Sequence, residues 1–267
     1  MGVIKIRGLE VTAKHGVFAE EKVNPQLFVF DADLTTDFYN AAKYDDLNLT
    51  ANYAQACEVI TETTTKNTFN LIETLAYTCA YALLDAFDIS VAEVTVYKPQ
   101  APVNCKFKTL GVTAKAERER VLLSLGSSLG DRAGYLNSAI KKLGEIRGVK
   151  VKKISSFLET EPVGGAAENK FINCAAEIET YLTPLQLLWE IHRIESECGR
   201  ERKMRWGDRT LDIDIIFFGS RVMATQELVI PHPQYRKRAF VLASLNEIAP
   251  DFVCPLCREK ISDLQFV

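Results

Sequence analysis

Leu211-Asp212-Ile213-Asp214-Ile215-Ile216-Phe217-Phe218 reads as a strand and organises the second half of the chain. Strand side chains alternate faces, so Leu211, Ile213 and Ile215 point into a core while Asp212 and Asp214 point together the other way. Two carboxylates side by side on a strand repel unless a cation sits between them. Hard oxygen donors with phosphate nearby select Mg2+. A D-x-D pair alone is more often a solvated sheet face, but its surroundings change that balance. Arg200, Arg202, Lys203, Arg205 and Arg209 crowd one flanking stretch, and Arg236, Lys237 and Arg238 crowd another. Basic groups around a carboxylate pair on an acidic protein are what a polyphosphate site requires. Single members of those runs read equally as a solvated face. His232, in Ile230-Pro231-His232-Pro233, precedes the second run, and its structural reading has comparable weight.

The elements on either side extend this picture. Val121 to Leu125 reads as a buried strand, 132 to 146 as a helix, and 149 to 158 and 171 to 180 as strands. Thr183-Pro184 supplies an N-cap and an N1 proline for a helix over 184 to 198, and 236 to 248 is mostly helical. Strand-helix-strand-strand-helix-strand is the ferredoxin-like arrangement. Upstream, 3 to 13 and 27 to 37 alternate as strands, 53 to 66 and 71 to 87 have helical spacing, and 91 to 98 and 107 to 117 return to strand. This ββααββ order makes an α+β unit of four antiparallel strands with two helices on one face. Such a sheet keeps two edges that must be covered, so a homo-oligomer formed through the N-terminal domain is expected. Lys115 to Arg120 is a short charged joint, and the expected domains are 1 to 118 and 119 to 267.

Composition narrows the classes. The 267 residues suit two domains, and 47% apolar with 25% charged residues is a globular balance. A net charge of −3 argues against a nucleic-acid partner. The start shows no apolar signal region and no run is long enough to span a bilayer, so no membrane partner and a cytoplasmic location are expected. Seven scattered cysteines suit reduced thiols. Cys254-Pro255-Leu256-Cys257 reads as a turn with incidental thiols, since zinc needs two more ligands.

Leu125 to Arg132, Phe171-Ile172-Asn173, Arg205-Trp206-Gly207-Asp208-Arg209-Thr210-Leu211-Asp212-Ile213-Asp214 and Pro231-His232 resemble the 6-hydroxymethyl-7,8-dihydropterin pyrophosphokinases, over about 121 to 267. The resemblance implies that Asp212 and Asp214 hold two Mg2+ that bridge ATP, the co-substrate. It implies roles for Arg200 and Arg209 at the transferred phosphates, and for Glu195, Arg202, Trp206, His232 and Arg238 around the nucleotide. Asn173 is implied to bond the pterin edge, Phe171 and Phe240 to sandwich its ring, and Thr160 to line its pocket. The family's G-S-N is Gly126-Ser127-Ser128 here, which alters local contacts.

In the first half, Ile6 to Glu10, His15 to Phe18, Asn52-Tyr53, Asn70-Leu71-Ile72-Glu73-Thr74-Leu75 and Lys98 to Pro102 resemble dihydroneopterin aldolase. Singly, each of these residues has a bland reading. Glu73, for instance, simply complements a helix N-terminus. The resemblance implies that Lys98 is the general acid/base, Tyr53 assists proton transfer, Glu21 lies near the substrate side chain, and Glu73 anchors the pterin. Ile72 beside it takes no defined role. No Schiff-base cofactor is needed, because the pterin C=N bond can accept electrons. The family forms rings with sites between subunits. Two adjacent steps of folate biosynthesis in one chain are therefore expected, the alternative being an active pyrophosphokinase joined to an oligomerising pterin-binding scaffold.

Overall fold

The computed structural model describes residues 1–162, 168–200 and 207–266. They form two compact units, Met1–Arg118 and Glu119–Val267.

The first unit contains β1 (Gly2–Ala13), α1 (Ala19–Val23), β2 (Gln26–Thr36), α2 (Tyr39–Tyr44), α3 (Tyr53–Lys66), α4 (Ile72–Ala86), β3 (Val91–Tyr97) and β4 (Gly111–Glu117). The strands form an antiparallel sheet in the order β1-β2-β3-β4. Alternation decides its inner face, where Phe28, Phe30, Ala32 and Leu34 of β2 and Ala92, Val94 and Val96 of β3 are buried. Ile60 of α3 and Leu75, Cys79, Leu83 and Leu84 of α4 are also buried, on the helix stripes. Asn52 caps α3, its side chain accepting the Ala54 N–H at 2.9 Å. Lys98 has the same parity as Val94 and Val96, so the sheet carries it inward just past the end of β3. The strand expected from 107 begins only at Gly111, with a loop ahead of it.

The second unit contains β5 (Glu119–Ser127), α5 (Arg132–Glu145), β6 (Val149–Ile154), β7 (Leu158–Thr160), β8 (Phe171–Thr180), α6 (Pro184–Glu197), β9 (Asp212–Phe218), the two-residue β10 (Met223–Ala224) and β11 (Val229–Ile230), and α7 (Ala239–Ile248). Its main sheet runs β6-β8-β5-β9, all antiparallel, which is the ferredoxin-like order. The single strand expected over 149 to 158 is two, β6 and β7, both paired with β8. Thr183 and Gln186 form a capping box at the start of α6, with Pro184 at its first turn.

Both sheet faces are covered, which explains why Val121 to Leu125 is a continuous apolar run. Val121, Leu123 and Leu125 pack into the core that contains Leu136 and Leu143 of α5 and Ile191 and Ile194 of α6. Leu122 packs with Val241, Leu242 and Leu245 of α7 on the other side. A bulge lets β9 serve both cores. Leu123 pairs with Ile215 but Leu122 with Phe217, leaving Ile216 as the extra residue. Ile216 and Phe217 thus both join the α7 core, while Ile213, Ile215 and Phe218 join the other.

Leu123 is fully buried between these layers. Leu123→Ala should destabilise the second unit by about 2–5 kcal/mol, read from native-state hydrogen exchange of β5 and β8 amides. Exchange in the β2 and β3 amides should not change.

Candidate active sites

The second unit places Asp212 and Asp214 on its edge strand β9, where they alternate with buried Ile213 and Ile215 as the pattern requires. Cross-strand registration sets Asn173, Gly126 and Asp212 in one row and Ala175, Ser124 and Asp214 in the next. These rows form the floor of a pocket walled by Thr160, Glu161, Phe171, Gly207, Arg209, Arg238 and Phe240. Asn173 Nδ2 donates to Thr160 Oγ1 at 2.8 Å, which fixes the amide in the pocket wall. Gly126 keeps that floor open, because a Cβ there would lie 2.6 Å from Asn173 Oδ1. A second groove on the outer side of β9 is lined by His192, Glu195, Arg200, Glu227 and His232 among others. Asp212 and Asp214 line both cavities.

Arginines hold the carboxylates. Arg200 Nη2 lies 2.7 Å from Asp212 Oδ1, and Arg209 Nη1 donates to Asp212 Oδ2. Arg200 also pairs with Glu195, which is only 2% exposed and accepts the Ile213 N–H at 2.9 Å. Glu195 thus ties α6 to the strand between the two aspartates. Arg238 Nη1 donates to Asp214 Oδ2 at 3.2 Å. Burial, followed by the neighbouring Asp212 charge, pushes the Asp214 carboxyl up, against the pull of His232, Arg238 and Arg209.

His232 is positioned by the bulge: its N–H donates to the carbonyl of Ile216, the extra residue, at 3.0 Å. Its Nδ1 accepts the Gln234 N–H at 3.2 Å, so in the neutral ring the proton sits on Nε2, 3.9 Å from Asp214 Oδ1. Burial holds this imidazole below its ordinary value, although Asp214 pulls the other way. Ser128 binds the backbone of Arg209 on both sides: its N–H donates to the Arg209 carbonyl at 2.9 Å, and its Oγ accepts the Arg209 N–H at 3.0 Å. The residue that departs from G-S-N therefore helps to place an arginine of the site. Arg202 and Trp206 lie outside the described residues. Ser124, Glu161, His192 and Glu227 were not singled out from sequence; only strand registration and the fold at β11 bring them in.

In the first unit, Lys98 is 7% exposed and pairs with Glu21. Glu21 Oε2 accepts the Phe18 N–H at 3.1 Å, and the Gln26 amide donates to Oε1 at 3.4 Å. Phe28 lies 6.0 Å from the ammonium and His15 packs edge-on against that ring. His15 Nδ1 accepts the Phe69 N–H at 3.1 Å, tying this pocket to the turn before α4. Glu73 stands exposed in the first turn of α4, beyond the half-buried Ile72. Tyr53 is 65% exposed at the opposite end of α3 from the Phe69 turn. The 14 residues of α3 at about 1.5 Å each separate Tyr53 from that turn by roughly 20 Å. One copy of the unit therefore brings Glu21 and Lys98 together and leaves Tyr53 apart.

The second unit is a ferredoxin-like domain whose paired carboxylates, ringed by guanidinium groups, suit the handling of polyphosphates. Residues 122–250 match the family model described as 7,8-dihydro-6-hydroxymethylpterin-pyrophosphokinase, and residues 4–115 match that of dihydroneopterin aldolase. The chain is 46% identical over 126 residues to the 2-amino-4-hydroxy-6-hydroxymethyldihydropteridine pyrophosphokinase of Bacillus subtilis (strain 168), covering 47% of this chain and 75% of that one. It is 31% identical over 267 residues to the folic acid synthesis protein fol1 of Pneumocystis carinii, covering 94% of this chain and 36% of that one. A crystal structure of Escherichia coli dihydroneopterin aldolase in complex with neopterin is similar at 29% identity, covering 43% of this chain and 98% of that one, with a TM-score of 0.41. The chain belongs to the hydroxymethyldihydropterin pyrophosphokinase family and carries a dihydroneopterin aldolase domain ahead of that part. It spans 36% of the length of fol1 and of the bifunctional FolKE proteins of Lactococcus lactis that it also matches. No helix among the described residues is long and apolar enough to cross a membrane.

Burial alone would raise the Glu21 carboxyl, but hydrogen bonds from Lys98, Phe18 and Gln26 outweigh it and hold the group below its ordinary 4.5. Its contribution to stability is therefore complete above about 4.5 and is lost as pH falls through the lowered value. Lys98→Met should move the Glu21 titration upward in a carboxyl-detected NMR experiment. An unmoved titration would show that Lys98 is not its counter-ion.

Proposed function

We propose that residues 119–267 transfer a pyrophosphoryl group from ATP to 6-hydroxymethyl-7,8-dihydropterin, releasing AMP. Residues 1–118 make that acceptor by retro-aldol cleavage of 7,8-dihydroneopterin, releasing glycolaldehyde. The observation that carries the first half of this reading is that two cavities share one carboxylate pair. One cavity has two phenylalanines and an amide edge, which suit a flat heterocycle with hydrogen-bonding rim atoms. The other is lined by charged groups along the strand edge and takes the nucleotide. The hydroxymethyl oxygen attacks the β-phosphorus, the bond to the α-phosphate oxygen breaks, and the hydroxyl proton passes to solvent. Phe171 and Phe240 hold the ring, with Asn173 and Thr160 at its edge. Arg200, Arg209 and Arg238 orient the phosphates and offset their charge, and His232 offers them its Nε2–H, which is most of what such a transfer asks of a protein. Arg202 and Trp206 belong to the nucleotide side in this reading.

Asp212 and Asp214 fit a hard divalent cation. Both offer only oxygens, on one side of one strand, and burial together with the Asp212 charge raises the Asp214 carboxyl, an effect that a bound cation would offset. They would hold Mg2+, which when bound neutralises phosphate charge. Glu195 acts from beneath, by fixing Arg200 and the β9 backbone.

In the aldolase reaction Lys98 moves the proton of the side-chain hydroxyl as the carbon–carbon bond breaks into the pterin C=N system. Glu21 orients Lys98, and Glu73 anchors the pterin. Tyr53 reaches the reacting carbon from a neighbouring copy, because its own chain holds it roughly 20 Å from the turn beside Lys98. The exposed Tyr53 and Glu73 are in keeping with a site completed by oligomerisation.

Supplied with 7,8-dihydroneopterin, ATP and Mg2+, the protein should yield both glycolaldehyde and AMP. Lys98→Ala should cut glycolaldehyde formation by about 10²–10⁴-fold and leave AMP formation from supplied hydroxymethyldihydropterin intact. Asp212→Ala, or chelation of Mg2+, should abolish AMP and spare glycolaldehyde. Glycolaldehyde that survives in Lys98→Ala would reduce the first unit to a scaffold. Mixing the separately inactive Tyr53→Phe and Lys98→Ala proteins under subunit exchange should restore part of the aldolase activity; no recovery would place the whole site in one chain.

A further inference from the structure

Cys254 and Cys257 take no part in either reaction above, yet they sit in a built setting. Val253 and Lys260 pair as an antiparallel bridge, and inside it the Cys254 N–H donates to the Glu259 carbonyl at 2.9 Å. The Arg258 N–H donates to the Cys254 carbonyl at 2.9 Å, and Arg258 turns the chain with a left-handed φ of 64°. Both thiols therefore belong to one hydrogen-bonded turn, Cys254 to Arg258, three positions apart. Cys254 is fully buried, and Cys257 is partly exposed. The Tyr235 hydroxyl lies 3.3 Å from Cys254 Sγ. Burial would push the Cys254 thiol up, but the N–H groups of Cys257 and Leu256 and the Tyr235 hydroxyl outweigh it and hold the thiol below its ordinary value, whereas burial leaves Cys257 above it.

Tyr235 links this pair to the pocket. Its ring packs against Phe217 at 5.0 Å, and its N–H donates to the His232 carbonyl at 3.1 Å. The turn Tyr235–Lys237 leads directly to Arg238 and Phe240. The contact with Cys254 Sγ, in which either atom can donate, anchors the hydroxyl end of that turn in the α7 core.

We propose that Cys254 and Cys257 form a reversible dithiol–disulfide couple, with Cys257 the entry sulfur and Cys254 the resolving sulfur, whose closure loosens the Tyr235 turn and slows the transfer at the adjoining pocket. The co-reactant is a small disulfide. The partly exposed Cys257 thiol gives its proton to solvent, its sulfur attacks one sulfur of the small disulfide, the S–S bond breaks, and a mixed disulfide forms as one thiolate leaves. The Cys254 thiolate then attacks the Cys257 sulfur, forming the internal disulfide and releasing the second. Two cysteine thiols are oxidised as one small disulfide is reduced to two thiols. A disulfide sulfur has no proton to donate and accepts more weakly than a thiol or thiolate, so whichever atom donates in the reduced form, closure leaves Tyr235 with a buried, weakly bound hydroxyl. The effect on transfer rests on the pyrophosphokinase reading; the thiol chemistry does not.

The full chain incubated with oxidised glutathione, then alkylated and mapped by mass spectrometry, tests this. The exposed Cys105, a free thiol in the other unit, is an internal comparison expected to keep glutathione. In the wild type, Cys254 and Cys257 should be joined and carry none. Cys254→Ser should trap glutathione on Cys257, and Cys257→Ser should leave Cys254 unmodified. Stable glutathione on Cys257 in the wild type, or no reaction at either residue while Cys105 reacts, overturns the couple. AMP formation should fall several-fold on oxidation, recover with reductant, and stay constant in Cys257→Ser. A closed disulfide with unchanged AMP formation overturns the link through Tyr235. A reduced protein that makes no AMP from hydroxymethyldihydropterin counts against the pyrophosphokinase reading instead, while the mapping still decides the couple.

Discussion

Two like charges held side by side on a partly buried strand are the constraint around which the second unit is arranged. Asp212 and Asp214 cannot both ionise there without nearby positive charge. Arg200 and Arg209 serve the first carboxylate and Arg238 the second, with the Nε2 of His232 3.9 Å from that second carboxylate. Each of these partners has its own support. Arg200 rests on Glu195, Arg209 on Ser128, and His232 on the carbonyl freed by the β9 bulge. The bulge also shares apolar side chains between two cores, so one irregularity serves both packing and the site.

The first unit solves a related problem with a single pair. Strand parity sends Lys98 toward the apolar face, and an unpaired ammonium there would be strongly unfavourable. Glu21, presented by the short α1, supplies the counter-charge, and Phe18 and Gln26 steady the carboxylate. His15 joins the same neighbourhood to the start of α4 through Phe69. The outcome is a buried Lys98–Glu21 ion pair with Tyr53 and Glu73 facing outward.

The two units place their ionisable groups by the same device. In each, a charged residue falls at the inward or edge position of a strand, and neighbouring elements must answer it. Apolar packing then fixes how far each answer can stray, because the side chains involved are anchored in helices and turns with buried faces. Ser128 illustrates the tolerance of this scheme. A shorter side chain than the family's asparagine still grips the Arg209 backbone through its hydroxyl and its own N–H.

Local pattern in the sequence was enough for the order of elements, the ferredoxin-like arrangement of the second half, and the common direction of Asp212 and Asp214. These depend on the two-residue and 3.6-residue periods of backbone geometry, which neighbouring residues fix among themselves. The Lys98–Glu21 pair spans 77 positions, and the Arg238–Asp214 pair spans 24. No local period links such residues. The sequence could name them through resemblance, but only strand registration and packing bring their atoms together. The β9 bulge, the split of the strand near Ser155, and the contact between Tyr235 and Cys254 were likewise decided by tertiary structure. Each is a compromise between two cores or two distant segments, and a chain read one neighbourhood at a time contains no term for that competition.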